Sequence, residues 1–204
     1  MKPNRLIRRH VAGLTAVLIC VSFGGCGSAP LVAPTAYLKY NAKGGTFACE
    51  YPDGWSVSGG GKNGPEWATF ASGPAEIRIN ADVTGSLLGE IAGGFGAGKV
   101  EETSIELEAV HKVHEMDTGT AEQKFSGYQE IGTPQVLTAP LGPARKSEFT
   151  AASAFGSGVH GYRATILGHD KRVVVYLVCP EADWKTLQPA FDHVLSTLHR
   201  GNPE

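Results

Sequence analysis

Hydrophobic and polar residues change period several times along this chain, and each change marks an element. Glu76–Val83 (EIRINADV) alternates, with Ile77, Ile79 and Ala81 on one face and Arg78 and Asn80 on the other. A period of two is that of a half-buried strand. Glu66–Ser72 (EWATFAS) alternates in the same way, and short aromatic or β-favouring runs at 46–51 and 55–58 flank a Pro52-Asp53-Gly54 turn. These runs predict a meander, so a mostly antiparallel sheet. Residues 135–137, 144–151 and 160–167 predict three further strands. Arg172–Cys179 (RVVVYLVC) is almost continuously apolar and β-branched. That is the pattern of a central strand covered on both faces.

The period lengthens in two places. From Ile105 to about Lys124, Val110, Val113 and Asp117 share one helical side, with Leu107 and Ala121 near it. Gly119 weakens that helix by about 1 kcal/mol relative to alanine. Near the end, Trp184, Leu187, Phe191, Val194, Leu195 and Leu198 form one stripe on a 3.6-residue period. Pro180 precedes this helix and Gly201 stops it. Pro189 lies inside the stripe and is expected to kink or split it. Strands plus amphipathic helices predict an α+β domain with helices flanking a mostly antiparallel sheet, an αβα sandwich. The C-terminal helix packs on the sheet, and one domain spans 37–204.

The first thirty residues follow another logic. Lys2, Arg5, Arg8 and Arg9 precede an uncharged run, Val11–Phe23, and then Gly24, Gly25 and Cys26. A basic start, a short apolar stretch and small residues make the layout of an export signal. The run is shorter than the roughly 20 residues a membrane-spanning helix needs. Its end resembles a bacterial lipobox, whose cysteine receives a diacylglycerol; Phe23 stands where such motifs usually carry leucine. This predicts a lipoprotein signal over 1–25, lipidation of Cys26, and a tether over 26–36 in which Pro30 and Pro34 discourage regular structure. The competing reading is ordinary cleavage nearby. Acyl chains contribute about 0.8 kcal/mol per buried methylene, so two or three would hold the protein permanently.

Charge narrows the partners. The chain has 18 basic and 20 acidic residues, net −2; without residues 1–25 it has 14 and 20, net −6. A mildly acidic domain has no electrostatic reason to bind nucleic acid or anionic headgroups. The lipid, not the surface, is then the membrane contact. Cys49 and Cys179 lie in strand-like runs. Outside the cytoplasm they could form a disulfide, or remain two buried thiols.

The stretch FACEYPDGW at 47–55 resembles the opening of Mog1/PsbP-like domains, through Tyr51, Pro52, Gly54 and Trp55. The end is similar too, an apolar strand and then a helix carrying Phe191, Val194, Ser196 and Leu198. The resemblance covers most of 40–200. It implies binding or assembly work without a catalytic centre, as in extrinsic subunits of the photosynthetic water-oxidising complex, a regulator of a nuclear-transport GTPase, and lipid-anchored envelope proteins. An export signal excludes the nuclear role.

Motifs for chemistry are thin. Gly93–Lys99 fits the spacing of a phosphate loop, but Val100 replaces the metal-binding hydroxyl, so a plain loop is expected. His111 and His114 are helix neighbours that could share a metal, though neither metallopeptidase pattern is present. A solvated or boundary role is the simpler expectation. Ser157 lies among glycines without a G-x-S-x-G frame. Arg145, Lys146 and Arg163 are expected as solvated charge on an open sheet face, or as a small basic spot for an acidic ligand or partner. Trp55 and Trp67 either fill the core or line a groove. The resulting expectation is a lipid-anchored extracytoplasmic binding or assembly module of the cell envelope, with no cofactor and no catalysis. Its partner is an envelope protein or a small ligand. The alternatives are a metal-dependent enzyme using His111 and His114, or a purely structural envelope lipoprotein.

Overall fold

The computed structural model describes residues 31–61, 64–83, 102–153, 156–168 and 171–203. Its centre is a seven-stranded sheet of β3 (Ser56–Gly60), β4 (Glu66–Ser72), β5 (Ala75–Val83), β6 (Ser126–Ala139), β7 (Gly142–Ala152), β8 (Gly158–Leu167) and β9 (Lys171–Pro180). The spatial order is β3-β4-β5-β9-β8-β7-β6, and every pairing is antiparallel. The apolar run read as a central strand is β9, with three strands on either side. A second, two-stranded sheet pairs β1 (Tyr37–Asn41) with β2 (Ala48–Pro52). β1 escaped the sequence reading because YLKYN is short and its Leu38 and Lys39 are exposed.

Alternation along β8 and β9 feeds two cores. Tyr162, Ala164, Ile166, Val173, Val175, Leu177 and Cys179 face the main one, with Phe70, Ile77 and Ile79 from β4 and β5. A C-terminal helix (α3, Trp184–Thr197) closes that core with Trp184, Leu187, Phe191, Val194 and Leu195, so its predicted stripe is its buried face. Each fully buried Leu, Ile or Phe contributes about 1.5–3 kcal/mol. The β1–β2 hairpin covers the rest of this side, with Tyr40 and Tyr51 against Phe70 at centroid distances of 5.2 and 4.6 Å. On the other side lie two helices, α1 (Glu102–Met116) and α2 (Thr118–Lys124). Val110 and Val113 of α1 pack on Leu167, and Ala121 of α2 packs on Val174 and Tyr176. The chain is therefore helix, sheet, helix in layers.

Two expectations need correction. Pro189 does not split α3, which runs unbroken through it. Pro189 and Lys185 are both exposed, so the carbonyl freed by the missing N–H faces water. The segment expected as a loose tether is partly held: Leu31 packs against the main core, and its N–H donates to Asp183 Oδ1 at 3.2 Å.

Candidate functional site

The densest chemistry lies between α1 and the sheet. Alternation puts Ser147 of β7 and Arg163 and Thr165 of β8 on the face that α1 covers, beside Glu130 of β6. His114 comes down from the helix one turn after Val110. Its imidazole is fully buried, with Nδ1 2.9 Å from Thr165 Oγ1 and Nε2 2.9 Å from Ser147 Oγ. Ser147 donates to Glu130 Oε2 at 2.9 Å. Arg163, also fully buried, donates to Glu130 Oε1 at 2.6 Å, to Tyr128 Oη at 3.0 Å, to Thr118 Oγ1 at 3.0 Å and to the His114 carbonyl at 2.5 Å. Tyr128 donates to Glu130 at 2.6 Å.

These bonds fix the proton positions. Ser147 has one proton and gives it to a carboxylate that only accepts. Its oxygen must therefore accept from His114 Nε2–H, and His114 Nδ1 accepts from Thr165. Burial, with Arg163 beside it, pushes the His114 pKa down to about 3, so the ring is neutral. Burial would raise Glu130, but bonds from Tyr128, Arg163 and Ser147 outweigh it and hold the carboxyl below its usual range. The same carboxylate helps hold Arg163 above its usual value against the opposing effect of burial.

Serine and histidine here look like a nucleophile and its base, but the direction is wrong. The imidazole donates to the hydroxyl instead of drawing its proton away, the reverse of an activated nucleophile. Ser147 is 3% exposed, so a substrate does not reach it. The network is a polar core that locks α1 to the sheet.

The predicted residues scatter. His114 was expected at a solvated boundary; burial and two hydroxyl partners take both ring nitrogens away from any metal. His111 turns instead to Glu115, at 3.3 Å. Among the described residues no group of three His, Cys, Asp or Glu could hold a metal. Arg163 is not solvated charge, because its donors are spent on Glu130 and the atoms around it. Lys146 lies on the opposite face, 3.9 Å over the Tyr162 ring and 2.9 Å from Asp192. Arg145 shares the α1 side with Arg163 but does not join a basic spot with Lys146. Cys49 and Cys179 are free, buried thiols in two different sheets, with pKa values pushed up to about 12 by burial. Trp55 packs half-buried on the edge of the main core, and Trp67 is 39% exposed with its indole over Gly60. The two tryptophans share no site. Cys26 and Gly93–Val100 lie outside the described residues.

Sequence reasoning missed Glu130, Ser147 and Thr165. Ser147 and Thr165 lay in predicted strands, but a polar face reads as solvated until the helix covering it is known; Glu130 lies in the part of β6 that no pattern marked as a strand.

Concave sites lie at the ends of the sheet. One groove runs beside Leu31, Val32, Pro34, Trp55 and Leu187. A cavity of about 310 Å³ lies at the other end, between the turns that carry Gly44, Gly64, Gly168 and Arg200.

No family model and no curated protein matches the sequence. Among solved structures, the cyanobacterial PsbP (CyanoP) of Synechocystis sp. PCC 6803 superposes with a TM-score of 0.51 at 15% identity, over 87% of this chain and 98% of that one. The fold is PsbP-like. A Pseudomonas aeruginosa protein of unknown function, PA94, has a TM-score of 0.43 at 16% identity, over 82% of this chain and 99% of its own. LpqN, involved in cell envelope biogenesis of Mycobacterium tuberculosis, has 0.41 at 14%, over 85% and 90%.

Proposed function

We propose that this protein is a lipid-anchored, extracytoplasmic module of the cell envelope that binds or assembles and carries no catalytic centre. The observation that carries the reading is the sequence around Cys26: four basic residues, thirteen uncharged ones, two glycines and a cysteine. The PsbP-like fold is compatible with it, and the side chains best suited to catalysis are spent in a buried lock. Leu31 lies five steps along the chain from Cys26, a reach of at most about 18 Å. A lipid on Cys26 therefore keeps the Leu31 end of the sheet next to the bilayer. No described helix is long and apolar enough to cross a membrane.

Expression of the full chain and of Cys26→Ala in a bacterium, followed by detergent phase partitioning, tests the anchor. The intact chain is expected in the detergent phase and the variant in neither mature nor anchored form. Equal partitioning of both would contradict the reading. Chemical crosslinking on intact membranes tests the binding role, with a stoichiometric adduct as the expected result.

A further inference from the structure

The cavity at the Arg200 end carries positive charge that nothing in the described structure neutralises. Lys171, Arg200, Thr46 and Glu66 line it together with five glycines and Leu141. Among the described residues neither Lys171 nor Arg200 has an ion pair or side-chain hydrogen bond. The one carboxylate among the described lining residues is already committed: Glu66 is 4% exposed and accepts the N–H groups of Gly44 and Thr46, the latter at 2.9 Å. Its charge pins the turn between β1 and β2, and its carboxylate lies 2.6 Å from where a Cβ on Gly44 would stand. Among the described residues the cavity thus keeps two cations without a partner, a threonine hydroxyl and walls built largely of glycine.

We propose that this cavity binds a phosphate group, with the Arg200 guanidinium and the Lys171 ammonium as countercharges and Thr46 as a hydroxyl donor. A guanidinium matches two phosphate oxygens at once, and an ammonium adds a point charge. Glycine walls let the oxygens come close to the backbone. β9 runs the length of the sheet from Lys171 to the Asp183 turn that holds Leu31. Its ten residues span about 30 Å. The source is therefore a phosphate ester on the aqueous side, not a headgroup of the bilayer beneath. The site gives the binding role above a ligand class, and rests on that reading only for facing away from the membrane.

Both cations are partly or fully exposed, so inorganic phosphate alone is expected to half-saturate in the low millimolar range. The test is hydrogen–deuterium exchange of the full chain in neutral detergent, with inorganic phosphate against sodium chloride at equal ionic strength. Peptides covering 42–48, 64–70 and 198–203 are expected to gain protection with phosphate and not with chloride. Lys171→Gln with Arg200→Gln is expected to raise the half-effect concentration at least tenfold. Lys171→Glu alone, a second variant of similar length, is expected to do the same. Neither cation has a partner among the described residues, so both variants are expected to melt with the parent chain. No phosphate-specific protection up to about 50 mM, or equal protection in the variants, would overturn the site. So would protection by phosphatidylglycerol vesicles with none by inorganic phosphate. N-terminal mass analysis of the same sample reads the lipid separately, so the two proposals fail independently.

Discussion

The residue that says most about this protein is His114. Its pKa of about 3 in the folded state lies well below the ordinary 6.5. Between those values the unfolded chain binds more protons than the folded one, so stability falls as pH falls. The contribution is complete above pH 6.5 and shrinks by about 1.4 kcal/mol per unit below it, some 3 kcal/mol by pH 4. Glu130, held below its usual value, adds a loss of the same sign at lower pH. Urea titrations from pH 7 to pH 4 are expected to show this slope, and His114→Gln to flatten it. Arg163→Met leaves Glu130 with an uncompensated charge and is expected to cost about 3–5 kcal/mol, the range for a broken buried pair. The tryptophans separate by depth. Trp184 is 6% exposed and stacks on His160 at 4.0 Å. Trp184→Ala is expected to cost about 3–5 kcal/mol and the edge residue Trp55 less than that, read by thermal unfolding.

At the scale of elements, α3 and β9 could be read from the sequence nearly residue for residue, because one apolar stripe and one apolar run each had a single explanation. The helix over 105–124 was legible in its buried positions Val110, Val113 and Ala121 but not in its division at Asp117, across which backbone bonds to Val113 and from Ala121 keep the helical spacing. His114 and Arg163 were misread for one shared reason. Periodicity marks which side of an element a residue occupies, not what covers that side. Gly161 makes a related point inside β8, where a Cβ would run onto the Leu177 carbonyl oxygen of β9. Gly161→Ala is expected to destabilise by about 2 kcal/mol or more, since the backbone itself has to move. Pro189→Ala is expected to stabilise α3 by about 1 kcal/mol, by restoring a helical hydrogen bond.

For the whole molecule, the layered fold was foreseeable and the sites were not. A phosphate cavity built from three turns and a C-terminal arginine has no linear motif, because Thr46, Lys171 and Arg200 meet only after the sheet forms. The two thiols illustrate the same limit, since strand pairing and not spacing decides whether they meet. Cys49 and Cys179 are expected to resist thiol reagents until the domain unfolds, two labels per chain then appearing together. Everything about orientation, with the Leu31 end toward a bilayer and the Arg200 end away from it, depends on the modification at residue 26. Mass spectrometry of the N-terminal peptide from membrane-extracted protein measures it directly. The account predicts a chain beginning at Cys26 and heavier by a diacylglycerol, with or without a further acyl group. An unmodified N-terminus, at Cys26 or elsewhere, would contradict it.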